Sequence, residues 1–213
     1  MATIVIDPGH GGDATIGGSS PNNATGPTGT LEKNATLDLA LRTFDAFNGS
    51  GHTVILTRDT DVNLGLADRA AVARNINADV FVSIHFNGDA SPPVQGTEVW
   101  IHTTSTDDSR LLAASVLQRA VATTGYNNRG AKSKGLGVLS LANQSPGTAA
   151  CLLEVSFLTN PDDETRLQDI TYKNQLATAI FQAILDFINK ATSNLPPPVA
   201  PVPTGDPNGD ADA

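Results

Sequence analysis

The sequence predicts an α/β fold: a three-layer domain with a twisted, mostly parallel or mixed sheet flanked by helices. Three observations predict it. Short β-branched and aromatic runs alternate with stretches of helical period, in a βαβα order without internal repeat. Three of those runs, Thr3–Ile6, Ala78–Ile84 and Cys151–Leu153, end abruptly on a polar residue: Asp7, His85 and Glu154. In open α/β sheets, ligands and catalytic groups collect outside the carboxyl ends of the strands, where these residues stand.

The elements follow in order. A first strand near 3–6 leads to a long polar loop, Asp13 to Gly29, rich in Gly, Asn, Ser, Thr and Pro. Loops of that length without structure of their own are usually functional or mobile. Thr30 is placed to cap the helix that follows, whose apolar face carries Leu31, Ala35, Leu39, Leu41, Phe44 and Phe47. Gly49-Ser50-Gly51 ends it before a strand at His52–Thr57. A helix near 64–76 precedes the strand that ends at His85. Gly96–His102 reads as an alternating strand, and 107–124 as a helix with Leu111, Leu112, Ser115, Val116 and Val121 at helical spacing. Short strands near 136–140 and 149–155 lead to a final helix near 173–190, with Leu176, Ile180, Ile184, Phe187 and Ile188 on its apolar face.

The 213 residues suffice for one domain with a full core and are too few for two comfortable ones. A composition of 39% hydrophobic and 16% charged residues is globular. The formal charge of −9, with no cluster of Lys or Arg, argues against nucleic acid as a partner. No apolar stretch approaches the roughly 20 residues of a membrane helix. Met1-Ala2-Thr3 passes straight into a strand, so no signal peptide is expected. After Lys190 the composition shifts to Pro196-Pro197-Pro198, Pro201, Pro203 and Pro207, with three acids and no base. Residues 1–190 are therefore expected to form the domain, and 191–213 a Pro-rich acidic linker or tail of the kind that joins a second module.

Two histidines and one or two glutamates converging on one sheet edge suggest a zinc hydrolase. Catalytic zinc takes three protein ligands and leaves a fourth position to water. His10 lies in a glycine-rich turn, where backbone and metal can approach closely; alone it also reads as a surface-loop histidine. His85 alone also reads as a satisfied histidine at a strand edge. Glu32 in the first turn of a helix is favoured by the helix dipole whatever its function. Glu154, between Cys151-Leu152-Leu153 and Val155-Ser156-Phe157, is either buried or at a site mouth, and a buried carboxylate needs a partner or a raised pKa.

The remaining polar residues read as structural. Cys151, the only cysteine, reads as a small core hydrophobe, because side-chain alternation puts it on the opposite face of the strand from Glu154. His52 lies at the wrong edge of the sheet, while His102 ends a strand where it could line the cleft. Asp7 is expected to anchor its turn through backbone amides. Arg58, Asp59, Asp61, Asp68 and Arg69 read as a charge network of a loop and a helix start, and Asp162-Asp163 as a helix N-terminal cluster.

Four segments in order carry a resemblance. Ile4-Val5-Ile6-Asp7-Pro8-Gly9-His10-Gly11-Gly12, Leu31-Glu32-Lys33, Ala78 through Asn87, and Leu153-Glu154-Val155-Ser156-Phe157-Leu158-Thr159-Asn160 resemble the zinc-dependent N-acetylmuramoyl-L-alanine amidases of the amidase-3 type. Leu56-Thr57-Arg58-Asp59, Asp68-Arg69 and Asn128-Arg129-Gly130-Ala131-Lys132 add to it, so that it spans about residues 3–188. Two positions depart from the usual pattern: Phe86 stands where alanine is common, with a possible effect on the substrate groove, and Ser156 stands where glycine is common. The resemblance implies that His10, Glu32 and His85 hold the zinc, that Glu154 is the catalytic glutamate, and that Asn87 and Arg129 contact substrate.

The implied reaction is hydrolysis of the amide between N-acetylmuramic acid and L-alanine of the peptidoglycan stem, by a monomer acting in the cell wall. A secreted wall enzyme and a phage lysin released at host lysis both fit, and a wall-binding module beyond the tail is a natural partner. Two other readings stand beside it: a zinc peptidase or carboxypeptidase acting on another peptide, and an inactive wall-binding module.

Overall fold

The computed structural model describes residues 1–91 and 93–189. The segment 191–213, and the boundary expected at 190, lie outside the described residues. The strands are β1 (Thr3–Pro8), β2 (Thr53–Leu56), β3 (Val80–Asn87), β4 (Thr97–His102), β5 (Asn128–Lys134) and β6 (Ala149–Phe157). The helices are α1 (Glu32–Ala46), α2 (Leu66–Asn75), α3 (Asp107–Thr124), α4 (Pro161–Arg166) and α5 (Ile170–Ile188). The sheet runs β2-β1-β3-β6-β4-β5, and only the β4–β6 pair is antiparallel. The expected α/β architecture with a mostly parallel mixed sheet is present.

Alternation along the strands divides the apolar residues between two faces. Ile4, Ile6, Val82, Ile84, Cys151 and Leu153 meet Leu39 of α1, Leu112 and Val116 of α3, and Ile180 and Ile184 of α5 in the larger core. Val5, Phe81, Trp100, Ala150 and Leu152 face the other way and share a smaller core with Ala73 of α2 and with Leu136, Val138 and Leu139. Position parity then places Asp7, Ser83, His85, Glu98 and Glu154 on this second, less covered face. No helix among the described residues is long and apolar enough to cross a membrane.

Two expectations are corrected. The run near 136–140 is not a strand: Gly137–Leu139 is a 3-10 turn whose Leu136, Val138 and Leu139 cap the smaller core. The strand lies just before it, at β5. It is an edge strand whose only apolar side chain is Ala131, and polar edges of this kind give little hydrophobic signal. The N-cap of α1 is also not Thr30. It is Leu31, which makes no side-chain cap bond. The exposed amides of α1 are met instead from the long loop: the Glu32 amide donates to the Ala24 carbonyl and the Lys33 amide to Asn22 Oδ1.

Candidate metal and catalytic site

The chain leaves β1 through Pro8 into a turn where His10 takes a left-handed φ of 60°, an unfavourable conformation for a residue with a Cβ. Two buried guanidiniums hold it there. Arg69 donates to the carbonyls of Pro8 (2.7 Å) and His10 (2.7 Å) and pairs with Asp7 (3.0 Å). Arg58 donates to the carbonyls of Pro8, Gly9 and Lys33. These arginines are therefore buried scaffolding for the His10 turn, beyond the loop and helix-start charge network expected of them. Gly9 is required for a related reason, since a Cβ there would fall on the His85 ring.

Asp7 anchors the turn, though not through backbone amides as expected. Its oxygens accept from Thr57 Oγ1 (2.5 Å), Ser83 Oγ (2.7 Å) and Arg69. The reason lies in the sheet: Asp7 points into the second face in register with Ser83, where side-chain donors from neighbouring elements reach it.

Glu32, at the first position of α1, is 1% exposed. Its Oε2 accepts the Ala24 amide at 2.9 Å, and its Oε1 accepts the Phe86 amide at 3.0 Å. The same Oε1 lies 3.2 Å from His85 Nδ1 and 3.1 Å from His10 Nε2. The ligand atoms of His10, Glu32 and His85 all lie within 4.8 Å of one another, a buried cluster able to hold a metal ion. The sequence-expected triad is thus brought together from β1, α1 and β3.

The donor set fits a cation. His10 Nδ1 lies 3.1 Å from the Ser20 carbonyl and from Ser20 Oγ, which assigns its proton to that nitrogen. Nε2 touches Glu32 but lacks the geometry of a hydrogen bond with it, so a buried lone pair faces a carboxylate. A cation bound between them, or a proton on Nε2, relieves that contact. The electrostatics agree. Despite burial, the two imidazoles hold the Glu32 carboxyl well below the usual carboxylate range. Burial also opposes charge on His10, yet Glu32 raises its pKa, whereas burial lowers that of His85. Glu32 Oε1 stands 3.1 and 3.2 Å from the two imidazoles, close to the ~3.4 Å between two donors of one zinc, and the three donors lie within 4.8 Å of one another.

Glu154 is buried on β6 in register with His85 on one side and with Glu98 on the other. Glu98, which sequence reading passed over, is 1% exposed and accepts four hydrogen bonds. Asn87 Nδ2 and Trp100 Nε1 reach its Oε1 at 3.1 Å each, and Arg129 Nε (2.7 Å) and Lys132 Nζ (2.9 Å) reach its Oε2. Asn87 and Arg129, expected at the substrate, thus meet on one carboxylate beside Glu154. The alternation of Glu98 with Trp100 on a strand adjoining Glu154 was the available signal.

The other candidates fall outside this cluster. His52 accepts the Ala2 amide at the far edge of the sheet, and His102 bonds Thr104. Cys151 is packed in the larger core, where burial pushes its thiol pKa far up. Phe86 points into that same core, on the face opposite Glu154, and lines a cavity of about 300 Å³ with Leu39 and Leu176; it does not shape a groove over the glutamate.

Comparison with known proteins agrees with this arrangement. Residues 4–186 match the amidase-3 family, described as N-acetylmuramoyl-L-alanine amidase. The chain is 32% identical over 186 residues to N-acetylmuramoyl-L-alanine amidase LytC of Bacillus subtilis, covering 87% of this chain and 35% of that protein. The chain therefore spans about a third of that relative's length. The crystal structure of an N-acetylmuramoyl-L-alanine amidase from Clostridium difficile 630 superposes with a TM-score of 0.79 at 31% identity, covering 88% of this chain and 97% of that one. The catalytic domain of CwlV, from Bacillus (Paenibacillus) polymyxa, superposes at 0.78 with 30% identity, covering 89% and 99% of the two chains. On the family match over residues 4–186 and the shared fold, the chain belongs to the amidase-3 family of N-acetylmuramoyl-L-alanine amidases.

Proposed function

We propose that the protein hydrolyses the amide joining the lactyl group of N-acetylmuramic acid to L-alanine of the peptidoglycan stem, using zinc held by His10, Glu32 and His85. The observation that carries this reading is the buried His10–Glu32–His85 cluster one strand away from Glu154, in a chain that matches the family over residues 4–186. When bound, zinc supplies Lewis acidity that polarises the scissile carbonyl and acidifies water. Glu154 accepts the proton of the attacking water and delivers it to the alanine nitrogen, so that the C–N bond breaks to a neutral amine. Asn87 and Arg129 line the approach to that glutamate. Residues 1–190 form the catalytic domain in this reading, with 191–213 as its linker, and the site of action is the cell wall outside the cytoplasm.

Mass spectrometry of digested peptidoglycan tests the reading. New L-alanine amino termini should appear, and stem peptides should be released whole. Cleavage within the stem would replace this reading with the peptidase one, and binding without any cleavage would favour the inactive wall-binding module.

A further inference from the structure

We propose that β5, together with Glu98, forms a subsite for a carboxylate of the substrate peptide on the amine side of the scissile bond. The proposal rests on the amidase reading and names which half of the substrate lies over which part of the sheet.

Charge is distributed unevenly in this acidic chain. The seven residues of β5 hold Arg129, Lys132 and Lys134 and no acid, three of the thirteen basic residues of the protein. Read along the chain these cations are dispersed among Gly, Ala and Ser. Folded, Arg129 and Lys132 converge from one edge strand onto Glu98.

The cations are anchored yet reachable. The Arg129 guanidinium lies over the Phe157 ring at 4.8 Å, and the Lys132 ammonium lies 5.1 Å from the Trp100 ring centroid. A register shift between His85 and Asn87 pairs Phe157 with Asn87, which sets the ring beneath Arg129. The Arg129 and Lys132 side chains remain 30% and 15% exposed, while that of the Glu98 they share is 1% exposed. Two partly exposed cations fixed on aromatic faces, with a shared buried counter-ion, form a preorganised anion site.

The sheet order supplies the direction. The metal-cluster residues stand at β1, α1 and β3; Glu154 follows on β6, Glu98 on β4, and the cations on the β5 edge. With the scissile carbonyl on the metal side and its nitrogen at Glu154, the peptide continues across β4 toward β5. Adjacent strands lie about 4.8 Å apart, so the cationic groups, reaching from β5 to Glu98 on β4, stand about 5–10 Å from β6. An extended peptide advances about 3.4 Å per residue, so the carboxylate in reach belongs to the second or third residue beyond the bond.

The test uses an N-acetylmuramoyl tripeptide beginning with L-alanine, with its carboxyls free or all converted to carboxamides. Binding of each form is measured by calorimetry on zinc-loaded Glu154→Gln protein, and hydrolysis of each on the wild type. The free acid should bind at least tenfold more tightly than the carboxamide. Arg129→Gln and Lys132→Gln should each remove most of that preference, and Arg129→Lys, which keeps the charge, should retain it. Equal affinity for acid and carboxamide, or equal losses on both forms in the Gln variants, would overturn the subsite. Charge-dependent binding with no wild-type hydrolysis would remove the amidase reading and leave the subsite standing.

Discussion

Glu98 and Glu154 are direct partners across the antiparallel β4–β6 pair, two carboxylates in register on one face of the sheet. Like charges so placed repel, and the fold resolves the conflict by treating the two residues differently. Asn87, Trp100, Arg129 and Lys132 occupy both oxygens of Glu98. Glu98 is thereby committed as an acceptor, a role distinct from the proton transfer that the proposed mechanism gives to Glu154.

Replacing His85 with alanine should abolish tight zinc binding while leaving most of the fold, because the ring stands at the end of β3 and the cores are built from its apolar neighbours. Metal analysis of purified His85→Ala, set beside its circular dichroism spectrum, checks this. Stoichiometric zinc in the variant would rule out His85 as a ligand.

Glu154→Gln should retain zinc and lose about 10²- to 10⁴-fold in hydrolysis, the usual range for general acid–base catalysis. A loss smaller than about tenfold would contradict the role given to Glu154. Cys151→Ser is the control. A hydroxyl in that apolar core should cost about 1–3 kcal/mol of stability, and activity per folded molecule should stay near wild type; full inactivation would revive a thiol mechanism.

Asp7 gives the fold a dependence on acid. Burial raises the pKa of its carboxyl, but Arg69, Thr57 and Ser83 outweigh burial and hold it below its ordinary value. A depressed pKa contributes stability that is complete above the unfolded value, about 3.9, and that is lost as pH falls through the folded value. Asp7→Asn leaves the Arg69 charge buried without its partner and should cost about 3–5 kcal/mol at neutral pH. Urea unfolding midpoints of the two proteins should draw together as pH falls below about 4. A constant gap from pH 7 to pH 3 would show that the carboxylate charge is not the source.

The parts of the site legible in the sequence were those announced by strand ends. His85 and Glu154 end apolar runs and His10 lies in the glycine-rich turn after one, and the geometry unites the two histidines with Glu32. Glu32 itself looked ordinary at the start of a helix and gained its place through the family resemblance. What stayed hidden depends on contacts across the sheet. Glu98 sits in a strand of unremarkable alternation, and its four donors come from β3, β4 and β5. β5 lacks the apolar residues that mark a strand, while the more apolar run after it folds as a turn because a small core needed a cap. The roles of Arg58 and Arg69 were equally out of reach, because a guanidinium that braces a distant turn resembles any other charge until the turn is placed beside it.

The loop from Asp13 to Gly29 touches the cluster at two residues, Ser20 against His10 and the Ala24 amide on Glu32, and Asn22 holds the neighbouring Lys33 amide. Its conformation and the occupancy of the cluster are consequently linked quantities. An ion that binds only when the histidines and Glu32 are in place also favours the loop conformation that orients them, by mass action. Limited proteolysis should register that linkage: stripping the metal should open 13–29 to cleavage, and restoring it should close the loop again, so that the backbone beside the cluster reports whether the protein is charged for work.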